Sequence, residues 1–315
     1  MDKPLLSICI PTYNRAEYLK KSIESIICQD EFKNKQVEIV IADNASTDNT
    51  EIIVRPYVQK YENIYYFRNE KNINNDNFPF VLSKGSGLLR RLCNDTLCFE
   101  AGALEYICDV IKKYEQTKPF ICWLGKGGRP DIERVKFREG IRITSYWITA
   151  IACFSIWDDE CNKIETDTYG AELLLWQVRK TLELSSKKDD VLLINKALTS
   201  TQTVNNKNIS YGLYHVFYDN YFTLLKPYYE NKNLTEEDME YLEKDLLLNF
   251  FPEWCVKWKL RNTTLQYSKE EDLCKRVYQK FHTKSYWKEY EKKFNRIYWK
   301  LRIKEIVKKT VRRGW

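Results

Sequence analysis

The chain has 315 residues, of which 43% are hydrophobic, 14% aromatic and 30% charged, with a net charge of +7. That composition excludes a disordered or collagen-like chain and provides for one large core or two unequal ones. There is no unbroken run of 18 apolar residues and no basic, apolar, small-residue leader, so the sequence predicts neither a membrane span nor an export signal.

In chain order, the first apolar run, Leu5 to Ile10, stops at Pro11-Thr12-Tyr13-Asn14-Arg15, and a second, Val37 to Ala42, stops at Asp43-Asn44-Ala45-Ser46-Thr47-Asp48. Short runs rich in β-branched residues that end in polar turn residues are the pattern of strands buried on both faces. Further strands at 63–67 and 87–92 alternate with helical patterns near 15–29, 49–61, 76–84 and 101–114. Asp48 and Asn49, with Glu51 behind them, are helix-start chemistry. The alternation predicts right-handed βαβ crossovers and an α/β, doubly wound, mostly parallel sheet, in which two strand ends aim polar groups at one crevice.

Leu124 to Pro130 reads as a loop, Ile148 to Trp157 as a strand, Gly170 to Leu184 as a helix, and Val191 to Asn195 as a last short strand after a turn at Lys187 to Asp190. Beyond Tyr211 the periodicity is helical, which predicts domains 1–210 and 211–315, the second a helical appendage. The basicity lies there: Phe250 to Trp315 holds 19 Lys and Arg against 7 Asp and Glu, which calls for an anionic partner at that end. From Ile297 to Trp315, Trp299, Ile303, Ile306, Val307 and Val311 share one helical face, while Arg302, Lys304, Lys308, Lys309, Arg312 and Arg313 share the other. That face fits an anionic membrane surface through 297–315 and equally fits packing against protein. Nucleic acid is not expected, because the Tyr and Trp residues interleaved with the cations fit helix packing. A homodimer through the aromatic helices is a further expectation.

The ten cysteines sit mostly in apolar runs without a C-x-x-C pair, and only two histidines accompany them. Buried, reduced thiols in a bacterial cytoplasm follow, rather than a zinc site or a disulfide frame.

The Pro11-Thr12-Tyr13-Asn14-Arg15 and Asp43-to-Thr50 segments, with Arg68-Asn69-Glu70-Lys71-Asn72 and Gly102-Ala103-Leu104-Glu105-Tyr106 downstream, resemble the nucleotide-sugar domain of GT-A glycosyltransferases of family 2 across residues 4–110. Ser145 to Ile151 more faintly resembles the acceptor half of capsule and lipooligosaccharide members. The resemblance implies a Rossmann-like GT-A fold with a short hairpin after the 124–130 loop. It also implies an inverting transfer from a nucleotide-diphosphate donor, a UDP-sugar, to a hydroxyl of a growing bacterial surface polysaccharide. Such an enzyme works in the cytoplasm, peripheral to the inner membrane face, with Mn2+ or Mg2+.

By the same resemblance, Pro11, Tyr13, Asn14, Arg15, Asp43 and Asn44 hold base and ribose; a carboxylate accepts a pyrimidine N–H and a ring or proline face covers the base. Singly, these residues also fit ordinary turns and caps. The family's Asp-x-Asp position reads Asn94-Asp95-Thr96, with Asp95 its one carboxylate. One carboxylate suffices for a hard divalent ion whose shell the phosphates complete. Arg90 and Arg91, just before it, point either to the solvent edge or to a phosphate. Glu172 is the first candidate for general base, as the residue opening the predicted helix beside Gly170; Asp167, Asp158 and Asp159 follow. A solvated first-turn carboxylate favoured by the helix dipole reads the same way. The thinned metal motif leaves a second reading open, a GT-A-like scaffold subunit of a capsule assembly complex without turnover. A nucleotidyltransferase is disfavoured because the first loop holds no glycine.

Overall fold

The structure, a computed structural model, describes residues 3–204, 207–209, 211–261, 265–267 and 272–313, with backbone only for 207–209, 265–267 and 304–313. The chain divides into two compact units, residues 1–204 and 205–315.

In the first unit, strands β1 (Leu6–Thr12), β2 (Val37–Asp43), β3 (Ile64–Arg68) and β4 (Leu89–Leu92) alternate with helices α1 (Ala16–Ile27), α2 (Asp30–Lys33), α3 (Thr50–Lys60) and α4 (Asn77–Lys84). Three more strands and two helices follow, β5 (Leu97–Phe99), α5 (Ala103–Tyr114), β6 (Phe120–Trp123), β7 (Ile132–Val135) and α6 (Phe137–Thr144). The unit closes with β8 (Ser155–Trp157), α7 (Trp176–Ser186), β9 (Val191–Ile194) and β10 (Thr199–Thr201).

The main sheet has the order β3-β2-β1-β4-β8, parallel except for β8, which runs antiparallel to β4. This is the doubly wound α/β fold the sequence predicts. Leu6, Ile8, Ile10, Val37, Ile39 and Ile41 are fully buried in the core, each worth roughly 1.5–3 kcal/mol of apolar burial. Helix α1 turns Leu19, Ile23 and Ile26 to that core at helical spacing. Asp48 ties two helix starts together: its Oδ1 accepts from the Thr50 N–H at 3.0 Å and its Oδ2 from the Ala16 N–H at 3.1 Å.

The amino edge of the sheet is pinned by Glu38, which is buried and accepts from the Ser7 hydroxyl at 2.6 Å and the Ser86 hydroxyl at 2.7 Å. Ser7 Oγ in turn accepts from the Gly87 N–H at 2.8 Å.

Sequence and structure differ beyond residue 92. The loop at 124–130 does not lead into a hairpin; β7 pairs antiparallel with β9, Ile132 opposite Ile194, in a second sheet of order β6-β9-β7. Of the strand expected over Ile148–Trp157, only Ser155–Trp157 is extended, because 3-10 turns at Ser145–Thr149 and Ile151–Cys153 carry the chain across the sheet edge. The three-residue strands β5 and β10, which pair antiparallel, are too short to leave a periodic signal.

In the second unit a parallel pair, β11 (Lys207–Ile209) and β12 (Leu265–Tyr267), accompanies helices α8 (Tyr221–Glu230), α9 (Glu236–Asp245), α10 (Phe251–Lys259), α11 (Leu273–Phe281) and α12 (Trp287–Arg313). Aromatic rings make its core; Tyr214 stacks on Phe251 at 5.8 Å, and Tyr218 meets Phe281 edge-on at 5.5 Å. Buried Glu243 takes the Tyr218 hydroxyl and the ammonium groups of Lys280 and Lys284, both at 3.1 Å. In the basic helix, Trp299 and Ile303 are exposed. Ile306, Val307, Val311, Lys304, Lys308, Lys309, Arg312 and Arg313 lie outside the residues whose side chains are described. No described helix is long and apolar enough to cross a membrane.

Candidate functional site

The order β3-β2-β1-β4 places a topological switch point beyond the carboxyl ends of β1 and β4, where open α/β sheets bind their ligands. Three loops meet there, Tyr13–Arg15 after β1, Asn44–Asp48 after β2 and Cys93–Thr96 after β4.

Asp43 ends β2, fully buried. Its Oδ1 accepts from the Ser46 N–H at 2.8 Å, and its Oδ2 from the Tyr66 hydroxyl at 2.5 Å and Arg68 Nη1 at 3.0 Å. Burial and the Asp43 bond push the Tyr66 phenol well above its usual range. Asn14 takes a left-handed backbone, φ 53°, which an Asn tolerates, and stitches the first loop to the second. Its N–H donates to Ser46 Oγ at 2.9 Å, and its Oδ1 accepts from the Thr47 N–H at 2.7 Å. Tyr13 stands exposed on that loop and Pro11 is half-buried beneath it.

Asn44 is buried and spends both ends of its amide on the loop after β3. Nδ2 donates to Asn72 Oδ1 at 2.8 Å and to the Asn74 carbonyl at 3.2 Å, while Oδ1 accepts from the Ile73 N–H at 2.8 Å and Asn69 Nδ2 at 3.2 Å. Its side chain is thus a bracket for residues 69–74.

Asp95 follows β4, half-buried, and its Oδ2 accepts from the Thr12 hydroxyl at 2.9 Å. Burial pushes its carboxyl from 3.8 up to about 6; the Asp48 carboxylate pushes the same way, and Arg15, Thr12 and a backbone N–H oppose. Asp95 and Asn94 offer oxygen donors, which suit a hard divalent cation that shares its shell with phosphates. Among the described residues no cluster of three His, Cys, Asp or Glu stands ready for a metal by itself.

Arg90, half-buried, and Arg91 are both engaged within the fold. Arg90 Nη1 donates to the Leu82 carbonyl at 2.8 Å, and Arg91 is buried with its guanidinium 4.6 Å over the Trp123 ring.

Glu172 does not open a helix. Residues 170–174 form turns, with Leu174 at φ 59°, and α7 begins at Trp176, so the first-turn dipole argument falls. Gly170, at φ 85°, packs against the Arg179 side chain, 3.4 Å from where its Cβ would lie. The other carboxylates are neutralised: Asp167 by Arg179 and by Lys180 at 2.9 Å, Asp158 by Lys3 and by Lys118 at 3.2 Å, and Asp159 by Lys118 at 3.0 Å. Glu172 is exposed and has no cation partner among the described residues.

Sequence reasoning missed Asp76, half-buried at the start of α4, whose Oδ1 is buried without a hydrogen-bond partner among the described residues. Burial and then the Glu172 carboxylate raise its pKa, so two acidic groups 96 positions apart in the chain lie within electrostatic reach. Its setting among Asn72, Asn74, Asn75 and Asn77 reads as turn chemistry and hides it.

Residues 7–75 match the family described as Glycosyl transferase family 2. The abequosyltransferase RfbV of Salmonella typhimurium is 46% identical over 85 residues, 26% of this chain and 25% of that protein. The GalNAc(5)-diNAcBac-PP-undecaprenol beta-1,3-glucosyltransferase of Campylobacter jejuni is 28% identical over 189 residues, 55% of this chain and 59% of its own. The chain thus spans about a quarter of the Salmonella relative's length. Among solved structures, S. aureus TarS 1–349 superposes with a TM-score of 0.56 at 18% identity over 79% of this chain and 77% of that one. At that identity the likeness is one of fold, and TarS 1–349 has also been solved with UDP.

Proposed function

We propose that this chain, whose residues 7–75 match glycosyl transferase family 2 and whose fold is that of TarS 1–349, moves a sugar from a UDP-linked donor to a hydroxyl of a bacterial surface polysaccharide, with inversion at the anomeric carbon. The observation that carries this reading is Asp95, held by Thr12 beside Arg15 at the β1–β4 switch point. There a carboxylate lies within electrostatic reach of a guanidinium, where a diphosphate would lie in an open α/β sheet. The UDP complex of the TarS fold neighbour supports the donor class.

Tyr13 and Pro11 would cover the base, and Asp43, fixed by Tyr66 and Arg68, would receive its N–H on a lone pair. Asn14 and Asn44 hold the loops in place for that contact. Asp95 and Asn94 would hold a Mn2+ or Mg2+ ion, whose chemistry is to neutralise the diphosphate leaving group. Glu172 would take the proton from the acceptor hydroxyl as it attacks, because of the four candidate carboxylates it is the one with no cation partner among the described residues. A single in-line displacement inverts the reacting carbon. One relative's name supports the acceptor class, a sugar transfer onto a polyprenyl-diphosphate glycan. Exposed Trp299 and Ile303 on a basic helix fit peripheral attachment to the cytoplasmic membrane face where such acceptors lie. Capsule or lipooligosaccharide is the polymer this reading favours.

Thermal unfolding with UDP, GDP, CDP and dTDP, each with and without Mn2+, tests it on the wild type and Asp95→Ala. A ligand at about 100 times its Kd adds roughly 2.7 kcal/mol. Stabilisation by UDP that requires Mn2+ and Asp95 is the expected result. No shift with any nucleotide in either protein would overturn the transferase reading; a shift without turnover would leave a binding scaffold.

A further inference from the structure

A cavity of about 540 Å3 opens within the second unit, between the end of α10, α11 and the first turns of α12. Its size falls in the range of small-ligand sites, about 300–1,000 Å3. Rings of Trp258, Tyr278, Trp287 and Phe294 form its walls. Tyr278 meets Trp287 edge-on at 5.7 Å and is exposed, and Trp287 stacks on Tyr290 at 4.7 Å.

Two cations, Lys259 and Arg261, and the Asp272 carboxylate, which accepts from the Lys275 N–H at 3.1 Å, also line it. Lys257, Arg276, Lys280, Lys284 and Lys293 each hold a carboxylate. Lys259 and Arg261 hold none among the described residues; they lie over rings instead, Lys259 at 5.3 Å from Tyr298 and Arg261 at 4.6 Å from Trp258. Glu291 and Asn295, one helical turn apart on α12, add planar oxygen and amide groups to the same cavity.

Flat rings match the C–H faces of pyranose sugars, and planar carboxylate and amide groups match their hydroxyls. Two cations that hold no carboxylate among the described residues match a uronate carboxylate or a phosphate, to which a guanidinium binds in bidentate fashion. We propose that this cavity is a binding site for an acidic oligosaccharide. Binding stands on the cavity's own lining; that the oligosaccharide is the acceptor chain rests on the transferase reading.

Cys274, in the cavity wall, supplies an independent reporter. The Cys255 hydrogen bond lowers its thiol pKa, with Lys259 and Arg261 acting in the same sense, against burial and Asp272.

The test uses the full chain and isothermal titration with three acidic oligosaccharides, of hyaluronan, polygalacturonate and alginate. Neutral chitotetraose, poly-aspartate and phosphatidylglycerol vesicles are the controls. At least one acidic oligosaccharide is expected to bind tenfold or more tighter than chitotetraose and poly-aspartate, and to slow alkylation of Cys274 read by mass spectrometry. Tyr278→Ala and the pair Lys259→Gln, Arg261→Gln should each weaken binding tenfold or more while leaving the thermal midpoint in place. Asp95→Ala should leave glycan binding unchanged, so loss of nucleotide binding and loss of glycan binding are read separately. No binding by any of the three, equal binding of poly-aspartate, or binding indifferent to the substitutions overturns the proposal. Binding to vesicles alone assigns the surface to lipid and overturns it as well.

Discussion

The Thr12 hydroxyl donates to Asp95 Oδ2 at 2.9 Å, so one hydrogen bond joins the ends of β1 and β4 across 83 residues of chain. It holds a carboxylate in a place that disfavours its charge. Burial raises the Asp95 pKa to about 6, whereas the unfolded chain loses the same proton near its ordinary 3.8. On the proposed reading, a site that holds its carboxylate half-desolvated gives up folding stability to keep ligand affinity.

Asp95→Asn should therefore stabilise the ligand-free protein. The folded state keeps the Asp95 proton to higher pH than the unfolded chain does, so wild-type stability falls as pH rises from about 4 to about 6 and is level above that. A shift of this size corresponds to at most about 2–3 kcal/mol. Asparagine retains an acceptor for Thr12 and carries no charge. Urea unfolding at pH 7.5 should show the variant more stable, and at pH 4 the two proteins should coincide. An advantage of the same size at both pH values would locate the effect elsewhere.

Asn44→Ala should cost more than a ribose contact is worth. The substitution removes four hydrogen bonds along residues 69–74 and leaves the Ile73 N–H without its partner, while Asn72 Oδ1, the Asn74 carbonyl and Asn69 Nδ2 each keep another. A lost hydrogen bond costs roughly 0.5–1.5 kcal/mol and a buried group left unpaired roughly 1–3 kcal/mol, so a loss of roughly 2–4 kcal/mol follows. Chemical denaturation without nucleotide measures it directly. A ligand-only role predicts an unchanged denaturation midpoint and weaker UDP binding alone.

How far such roles were legible depends on where the partners come from. Strands β1 and β2 are readable because Leu6–Ile10 and Val37–Ala42 are buried on both faces and hold an unbroken apolar pattern. The loops behind them are readable as a candidate site, since polar residues at two neighbouring strand ends meet at the switch point. Asn44 as a bracket was not readable, because its partners arrive 25 or more residues later. Asp76 was hidden in an asparagine-rich turn. The helix start was misplaced because Gly170-Ala171-Glu172 has helix-entry chemistry, whereas Leu174 at φ 59° interrupts the run before Trp176. Arg91 looked like a surface or phosphate residue because sequence carries no sign of Trp123 waiting 4.6 Å away.

Glu172→Gln should separate chemistry from binding. The side chain is exposed on the 170–174 turn and makes no ion pair among the described residues, so folding stability should change by less than about 0.5 kcal/mol. Loss of a general base typically costs 10²–10⁴ in rate. On the proposed reading, steady-state transfer from a UDP-sugar donor should lose kcat by that order with the donor KM within a factor of about three, whereas UDP binding by calorimetry stays level. Retained kcat would remove Glu172 from the chemistry and turn attention to Asp76 beside it.

Gly87→Ala should weaken the fold from the edge of the sheet opposite the site. A Cβ at Gly87 would lie 2.6 Å from the Ser7 backbone nitrogen and 2.8 Å from the Leu6 carbonyl carbon, both in β1. Strand backbone cannot swing away as a flexible side chain can, so β1 and β4 must part at their amino ends. That disturbs the Gly87 N–H bond to Ser7 and the Ser7 bond to buried Glu38. Overpacking of this kind costs on the order of 1–3 kcal/mol. Gly127→Ala, where a Cβ meets nothing within 4 Å, is the matched control and should be neutral within about 0.5 kcal/mol. Because β4 carries Asp95 at its other end, any slip of β4 against β1 should also stretch the Thr12–Asp95 bond. UDP-dependent stabilisation should then fall in Gly87→Ala and persist in Gly127→Ala. Equal melting points for the two variants would mean that the close approach of Gly87 to β1 does not set the pairing of these strands.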